Sequence, residues 1–260
     1  MNTGFKDLDD VIKINGGKLI VLASRPSMGK STFALNILNN IATKQNLPVL
    51  CFNLEASKEQ IINKLISNNS MVEYSEIQKE KIDNNIWKKI QKGISIFSDA
   101  EIYIDDTAGI SIEEICEKSR KMKKEKDIQF ILIDYIHLIS YDKRECLSRE
   151  QEISQISHTL KVLAEELNIP ILVVSQLSRG PEERKNHKPI LEDFHASRDL
   201  VQVADIVMFL YRDDYYNEDS EKKNIAEIIV TKNKDGICDQ TVEIATLLEY
   251  CKFASLARKY

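Results

Sequence analysis

One stretch, residues 21–32, limits what this chain can fold into more than any other. Val21, Leu22 and Ala23 form an apolar run, Ser24, Arg25, Pro26, Ser27, Met28 and Gly29 form a loop, and Lys30, Ser31 and Thr32 open a segment whose Phe33, Leu35, Ile37 and Leu38 have helical spacing. A strand that runs through such a loop into a helix builds a concavity lined by backbone N–H groups, which favours an anion. Lys30 is placed to reach the outer phosphates of a nucleotide, and the Ser31 hydroxyl to ligate Mg²⁺. The usual pattern has glycine five residues before Gly29, where this chain has Ser24. A chance Gly-Lys-Ser in a turn is the structural alternative, and the strand before and apolar helix after it argue against that.

The rest of the chain alternates short β-branched runs with helical patterns. Strands are predicted at 19–23, 49–53, 102–104, 130–133, 171–175, 206–210, 225–231 and 241–244, with helices near 30–43, 58–67, 75–95, 111–125 and 149–167. This alternation predicts an α/β fold with a mainly parallel sheet covered by helices on both faces. The last two strands follow one another across Lys234, Asp235 and Gly236 and read as a terminal hairpin or meander. Residues 180–188 and 213–224 read as mobile loops. No repeat or Pro/Ser/Gly linker interrupts the pattern, so residues 1–260 read as one domain.

Composition narrows the setting. The net charge of -5 gives no global basic footprint, so contact with nucleic acid requires a local patch or a channel built between subunits. The cluster of Lys118, Arg120, Lys121, Lys123, Lys124 and Lys126 reads as a solvated helix C-terminus before it reads as such a patch. Cys51, Cys116, Cys146, Cys238 and Cys251 are odd in number without a CxxC pair, the pattern of buried reduced thiols. No run approaches the ~18 apolar residues of a membrane span, and the N-terminus has no apolar signal region, so a cytoplasmic location is expected.

Phosphoryl transfer from a nucleotide needs a held Mg²⁺, a positioned water and cations over the developing charge. The run 130–133 ends in Asp134, a candidate to hold a metal-bound water. The run 49–53 leads to Glu55, a candidate to polarise the attacking water. The run 171–175 ends in Gln176, whose amide suits a hydrogen bond to the γ-phosphate. Each has a structural alternative: Asp134 as a helix cap, Glu55 as a helix-opening acid, Gln176 as a strand-end cap.

Together these strand ends resemble the C-terminal motor domain of the DnaB family of replicative DNA helicases, within the RecA-like ATPases. The resemblance runs from Thr3, Gly4, Phe5 and Leu8 through Arg25 to Lys30, Leu54 with Glu55, and Ser57 with Gln60. It continues through Asp105 with Asp106, Asp134 with Tyr135, Leu160 to Ala164, and Ser175 to Arg179. Ala204 with Asp205, Leu210 to Arg212, and Lys232 to Gly236 complete it. It implies a RecA-like P-loop NTPase fold in which Lys30, Glu55, Asp134 and Gln176 are catalytic. ATP is held by Ser24 to Thr32, and Mg²⁺ by Ser31 directly and Asp134 through water. It further implies that Lys232 and Lys234 complete a neighbouring subunit's site in a hexameric ring, and that the motor moves 5′→3′ on single-stranded DNA. Arg179, His195, Ser197 and Arg198 match the positions expected to touch DNA.

Several positions depart from the family pattern. Lys234 stands where the family has an arginine finger, and lysine lacks the planar fork that clamps phosphate. Residues 193–198 replace a Leu-Arg-Glu-Ser-Gly loop, so His195 stands for an arginine and Arg198 for a glycine. Val201 and Val203 stand for polar or acidic residues, and His158 for an arginine. The family's collar domain and docking linker helix are expected before Thr3, where this sequence has two residues, so the chain reads as a motor-domain fragment or a stand-alone ATPase. Two other readings are a RecA-like regulatory or recombination ATPase that does not unwind, and a non-catalytic module that binds a full-length helicase ring.

Overall fold

The structure is a computed structural model that describes residues 1–141 and 148–256, with the side chains of 195–197 outside that description. In chain order its strands are β1 (Leu19–Ser24), β2 (Val49–Asn53), β3 (Ile102–Asp105), β4 (Phe130–Asp134), β5 (Ile171–Gln176), β6 (Ile206–Tyr211), β7 (Ile225–Asn233), β8 (Gln240–Leu247) and β9 (Lys252–Ser255). The helices are α1 (Lys6–Val11), α2 (Lys30–Lys44), α3 (Lys58–Ser70), α4 (Tyr74–Ile77), α5 (Asn84–Ile96), α6 (Ile112–Lys126), α7 (Arg149–Leu167), α8 (Gly180–Glu183) and α9 (Arg198–Val203). Among the described residues the strands form one sheet in the order β3-β2-β4-β5-β1-β6-β7-β8-β9. The six strands from β3 to β6 are parallel, and β7, β8 and β9 return as an antiparallel meander. The meander therefore has one more strand than the sequence pattern predicts, because four-residue β9 is too short to show a period.

Alternation along each strand sorts side chains onto the two faces. On β1, Ile20 and Leu22 enter an apolar layer with Leu8 of α1, Phe33 and Ile37 of α2 and Ile61 of α3. Leu19, Val21 and Ala23 enter the opposite layer with Ile115 of α6, Ile156 and Leu160 of α7 and Leu200 of α9. Both faces of the parallel region are thus covered, which is why its strands read as unbroken apolar runs. Capping boxes fix three helix starts, pairing Ser57 with Gln60, Ser111 with Glu114 and Ser148 with Gln151.

Three sequence expectations need correction. The helix predicted over 75–95 is two, α4 and α5, because the Asp83 carboxylate accepts from the Asn85 N–H at 2.8 Å and starts α5 afresh. The segments read as mobile loops are tied to each other. His187 stacks on Tyr216 at 4.3 Å between ring centroids, Lys188 and Lys222 both pair with the buried Glu227, and α8 occupies part of the first segment. Among the cysteines, Cys51, Cys116 and Cys251 are buried as expected, but Cys238 is exposed in the turn between β7 and β8. Cys146 lies outside the described residues. The basic cluster on α6 does behave as a helix end, and three of its cations are locally paired, Lys118 with Asp105, Arg120 with Glu166 and Lys123 with Asp127.

Candidate nucleotide site

The strand order sets the site. β2, β4, β5 and β1 are adjacent and parallel, so their C-terminal ends bring Asn53, Asp134, Gln176 and Ser24 to one edge of the sheet. Open α/β sheets place ligands at that edge.

From β1 the chain passes through the loop into α2. Gly29 has φ +95°, which an L side chain rarely adopts, and a Cβ there would come within 3.2 Å of the Phe253 ring. No side chain caps α2, so its first N–H groups are left for an anion. Ser24 explains its own departure from the usual pattern: it is the last residue of β1, and its hydroxyl donates to the Arg25 carbonyl at 2.8 Å. A side chain is tolerated at that extended position. The left-handed positions of the loop fall instead at Ser27, with φ +64°, and at Gly29. Lys30 is mostly buried, and Ser31 follows it into the helix.

Asp134 is 1% exposed. Its Oδ2 accepts from Asn53 Nδ2 at 3.4 Å, and its Oδ1 has no partner among the described residues. Burial pushes this carboxyl above its ordinary range, and the Ser31 hydroxyl and Lys30 charge pull the other way. An unpaired, buried carboxylate oxygen beside a serine hydroxyl and a lysine is costly unless something shares it. Ser31 and Asp134 thus fit a hydrated Mg²⁺ in both donor chemistry and placement.

Asn53, a residue the strand pattern alone does not single out, holds the Asp134 carboxylate and the backbone that carries Glu55. Its Oδ1 accepts the N–H groups of Glu55 at 3.3 Å and Ala56 at 2.8 Å while its Nδ2 reaches Asp134. The Leu54 N–H donates to the Asp134 carbonyl at 2.7 Å. Glu55 is exposed at the mouth of the site, and its charge is felt at both Asp134 and Tyr135. An asparagine ending an apolar strand two residues before a glutamate was the signal available in the sequence. His137, beyond Asp134, is held down to about 4, first by burial and then by Arg149 and Lys30, and so is neutral near pH 7. Gln176 is exposed and opposite Ser24, and the next N–H, of Leu177, donates to the Ser24 carbonyl at 3.1 Å.

The other predicted residues lie elsewhere. Arg25 turns its guanidinium onto Glu182 and the carbonyls of Leu177 and Ser178. Arg179 and Arg198 are exposed, on segments joined by the Ser178 N–H donating to the Asp193 carbonyl at 3.1 Å; the side chains of His195 and Ser197 lie outside the described residues. Lys232 and Lys234 stand at the opposite edge of the sheet. Lys232 is level with Val207 and donates to the carbonyls of Val201 and Gln202, and Lys234 donates to Asp205 at 2.9 Å. Burial, then the Lys234 charge, lowers the pKa of Lys232.

The family model described as the DnaB-like helicase C terminal domain matches residues 1–255. The chain belongs to this family. It is 42% identical over 259 residues to the replicative DNA helicase DnaB of Geobacillus stearothermophilus, covering 99% of this chain and 57% of that protein. It is 41% identical, with the same coverage, to the replicative DNA helicase DnaC of Bacillus subtilis. The chain thus spans a little over half the length of these relatives. A solved structure described as an ATPase domain superposes with a TM-score of 0.93 at 37% identity, covering 98% of this chain and 91% of that one. A DnaB-like replicative helicase, described together with its interactions with primase, superposes equally well and is covered over 63% of its length. The RadB recombinase, at 14% identity and a TM-score of 0.60, shares the fold alone. The DnaB-like domain is therefore a RecA-like ATPase fold with an antiparallel C-terminal addition. No helix among its described residues is long and apolar enough to cross a membrane.

Proposed function

We propose that this chain is the ATP-driven motor of a DNA helicase, hydrolysing ATP at interfaces between copies to translocate 5′→3′ on single-stranded DNA. The observation that carries the reading is a division of the machinery. Lys30, Ser31, Asp134, Glu55 and Gln176 gather at one edge of the sheet, while Lys232 and Lys234 stand at the other.

In this reading the loop N–H groups and Lys30 hold the phosphates, and the backbone of Ser24 to Thr32 shapes the cradle. Glu55 orients a water and accepts its proton as the oxygen attacks the γ-phosphorus, giving ADP and phosphate. Ser31 and Asp134 would hold Mg²⁺, which supplies charge neutralisation across the phosphates when bound. Gln176 sits where it can meet the γ-phosphate and pass its presence into the segment that follows. Arg179 and Arg198 are exposed donors suited to a phosphate backbone, with His195 and Ser197 on the same stretch of chain. Copies would assemble as a ring, as a hexamer or joined to a full-length helicase, so that Lys232 and Lys234 of one enter the site of the next.

The test is ATP hydrolysis with and without single-stranded DNA, together with opening of a forked duplex. Stimulation by DNA and opening of the fork are expected. An assembled, hydrolysing sample that leaves the fork closed refutes the helicase reading, and hydrolysis indifferent to DNA favours a regulatory ATPase.

A further inference from the structure

Arg25 lies within the phosphate loop, yet its side chain does not face the phosphate concavity. Four of its five N–H donors are committed elsewhere. Nε and Nη2 donate to Glu182 Oε1 at 2.9 and 2.5 Å, and Nη1 donates to the carbonyls of Leu177 at 2.8 Å and Ser178 at 3.1 Å. The side chain is only 12% exposed. We infer that Arg25 is a positioning residue that couples occupancy of the phosphate loop to the segment 177–194.

The contacts form an unbroken path. The Ser24 hydroxyl holds the Arg25 carbonyl, and the Ser24 carbonyl accepts from the Leu177 N–H, so displacement of the loop is felt at the end of β5 through backbone as well as side chain. Beyond Ser178 the path is stiff. The Ser178 N–H donates to the Asp193 carbonyl at 3.1 Å, and the buried Asp193 carboxylate accepts from the Arg184 guanidinium and, at 2.8 Å, from the Ile190 N–H. Gly180 packs so closely there that a Cβ would lie 2.5 Å from Asp193 Oδ1. Nε and Nη2 converge on one oxygen, Glu182 Oε1, while Nη1 spans two carbonyls, a many-point hold from one planar group that a lysine at position 25 would not reproduce. The path leads toward the segment that carries Arg198.

This inference rests on the reading that the loop binds ATP, and its test separates the two. Hydrogen exchange is followed in the full chain with and without a non-hydrolysable ATP analogue and Mg²⁺. In the wild type the analogue slows exchange by about threefold or more at both 24–32 and 177–194. In Glu182→Ala, which lies outside the phosphate loop and removes only the carboxylate partner of the Arg25 side chain, protection at 24–32 persists and protection at 177–194 is lost. Arg25→Lys, which keeps the charge without the fork, gives the same split. No protection at 24–32 in the wild type removes the ATP reading and this inference with it. Protection confined to 24–32 in the wild type, or spreading to 177–194 in both variants, overturns the coupling alone. Loss of protection at 24–32 in Arg25→Lys makes Arg25 a phosphate contact and overturns it too.

Discussion

Asn53 ties together the turn that presents Glu55 and the carboxylate of Asp134, with three hydrogen bonds from one side chain. If Glu55 and Asp134 act on a nucleotide, removing such a support leaves them present but loosely placed, and outer-shell losses of this kind cost roughly 10-fold or more in activity. Asn53→Ala is expected to lower kcat for ATP by about that factor with little change in KM, whereas Lys30→Ala, which removes a charge from the phosphates, lowers it roughly 10²–10³-fold. Steady-state ATPase assays of both variants check this, and a fall in Asn53→Ala confined to KM would count against a positioning role. The places of Asp134 and Gln176 at strand ends, and of Glu55 just beyond one, were legible in the sequence because the strand patterns end there, and that of Lys30 because the loop leads into an apolar helix. Asn53 was not. What it does depends on the Asn53–Asp134 register between strands 81 residues apart, which no local period encodes. Cys238 escaped for the opposite reason, since it lies in a turn where no pattern assigns a face.

At the scale of elements, α9 and the start of β6 meet at one buried carboxylate. Asp205 accepts from the Leu19 N–H at 2.9 Å, from Lys161 at 2.7 Å and from Lys234 at 2.9 Å, joining β1, α7 and the end of β7. Burial works against its ionisation, but the bonds from Lys161, Lys234 and Leu19 outweigh burial and hold the carboxyl below its ordinary range. A group with a depressed folded-state pKa stabilises the fold above its unfolded value, near 3.8, and that contribution is lost as the pH falls through the folded value. Asp205→Asn is therefore expected to lower Tm by a few degrees at neutral pH and to flatten the drop in Tm below about pH 4, as read by thermal melts across pH. An acid limb as steep as that of the wild type would show that the carboxyl is not depressed. The order of elements was legible from the alternation of periods, and the two-sided cover of the sheet followed from it. The break between α4 and α5 and the brief β9 were not, because one depends on a cap and the other on a strand completed only by pairing with β8.

For the whole molecule, Lys234 and the loop that follows β1 are too far apart to meet within one copy. The Lys234 N–H donates to the Asp205 carbonyl and the Asp205 N–H to that of Leu19, so Lys234 is level with the start of β1. Ser24 lies five residues farther along β1, roughly 16 Å at the rise of a strand, which is beyond the reach of a lysine side chain. If these lysines act on a nucleotide, it is a neighbour's. Lys234→Arg then supplies the planar fork that clamps a phosphate and is expected to raise the ATPase rate of the assembled form several-fold; an unchanged or lower rate counts against that role. A sharper test mixes two disabled proteins. Lys30→Ala lacks a working phosphate loop but keeps Lys234, and Lys234→Ala keeps the loop but lacks the donated cation. In a head-to-tail ring each interface takes its loop from one copy and its lysine from the next, so random mixing in equal amounts leaves roughly one interface in four with both intact parts. The mixture is expected to recover about that share of wild-type ATPase, above either variant alone, in a sample whose mass shows assembly with ATP and Mg²⁺. A site complete within one copy predicts something different: the mixture gives only the average of its two components, whatever the assembly.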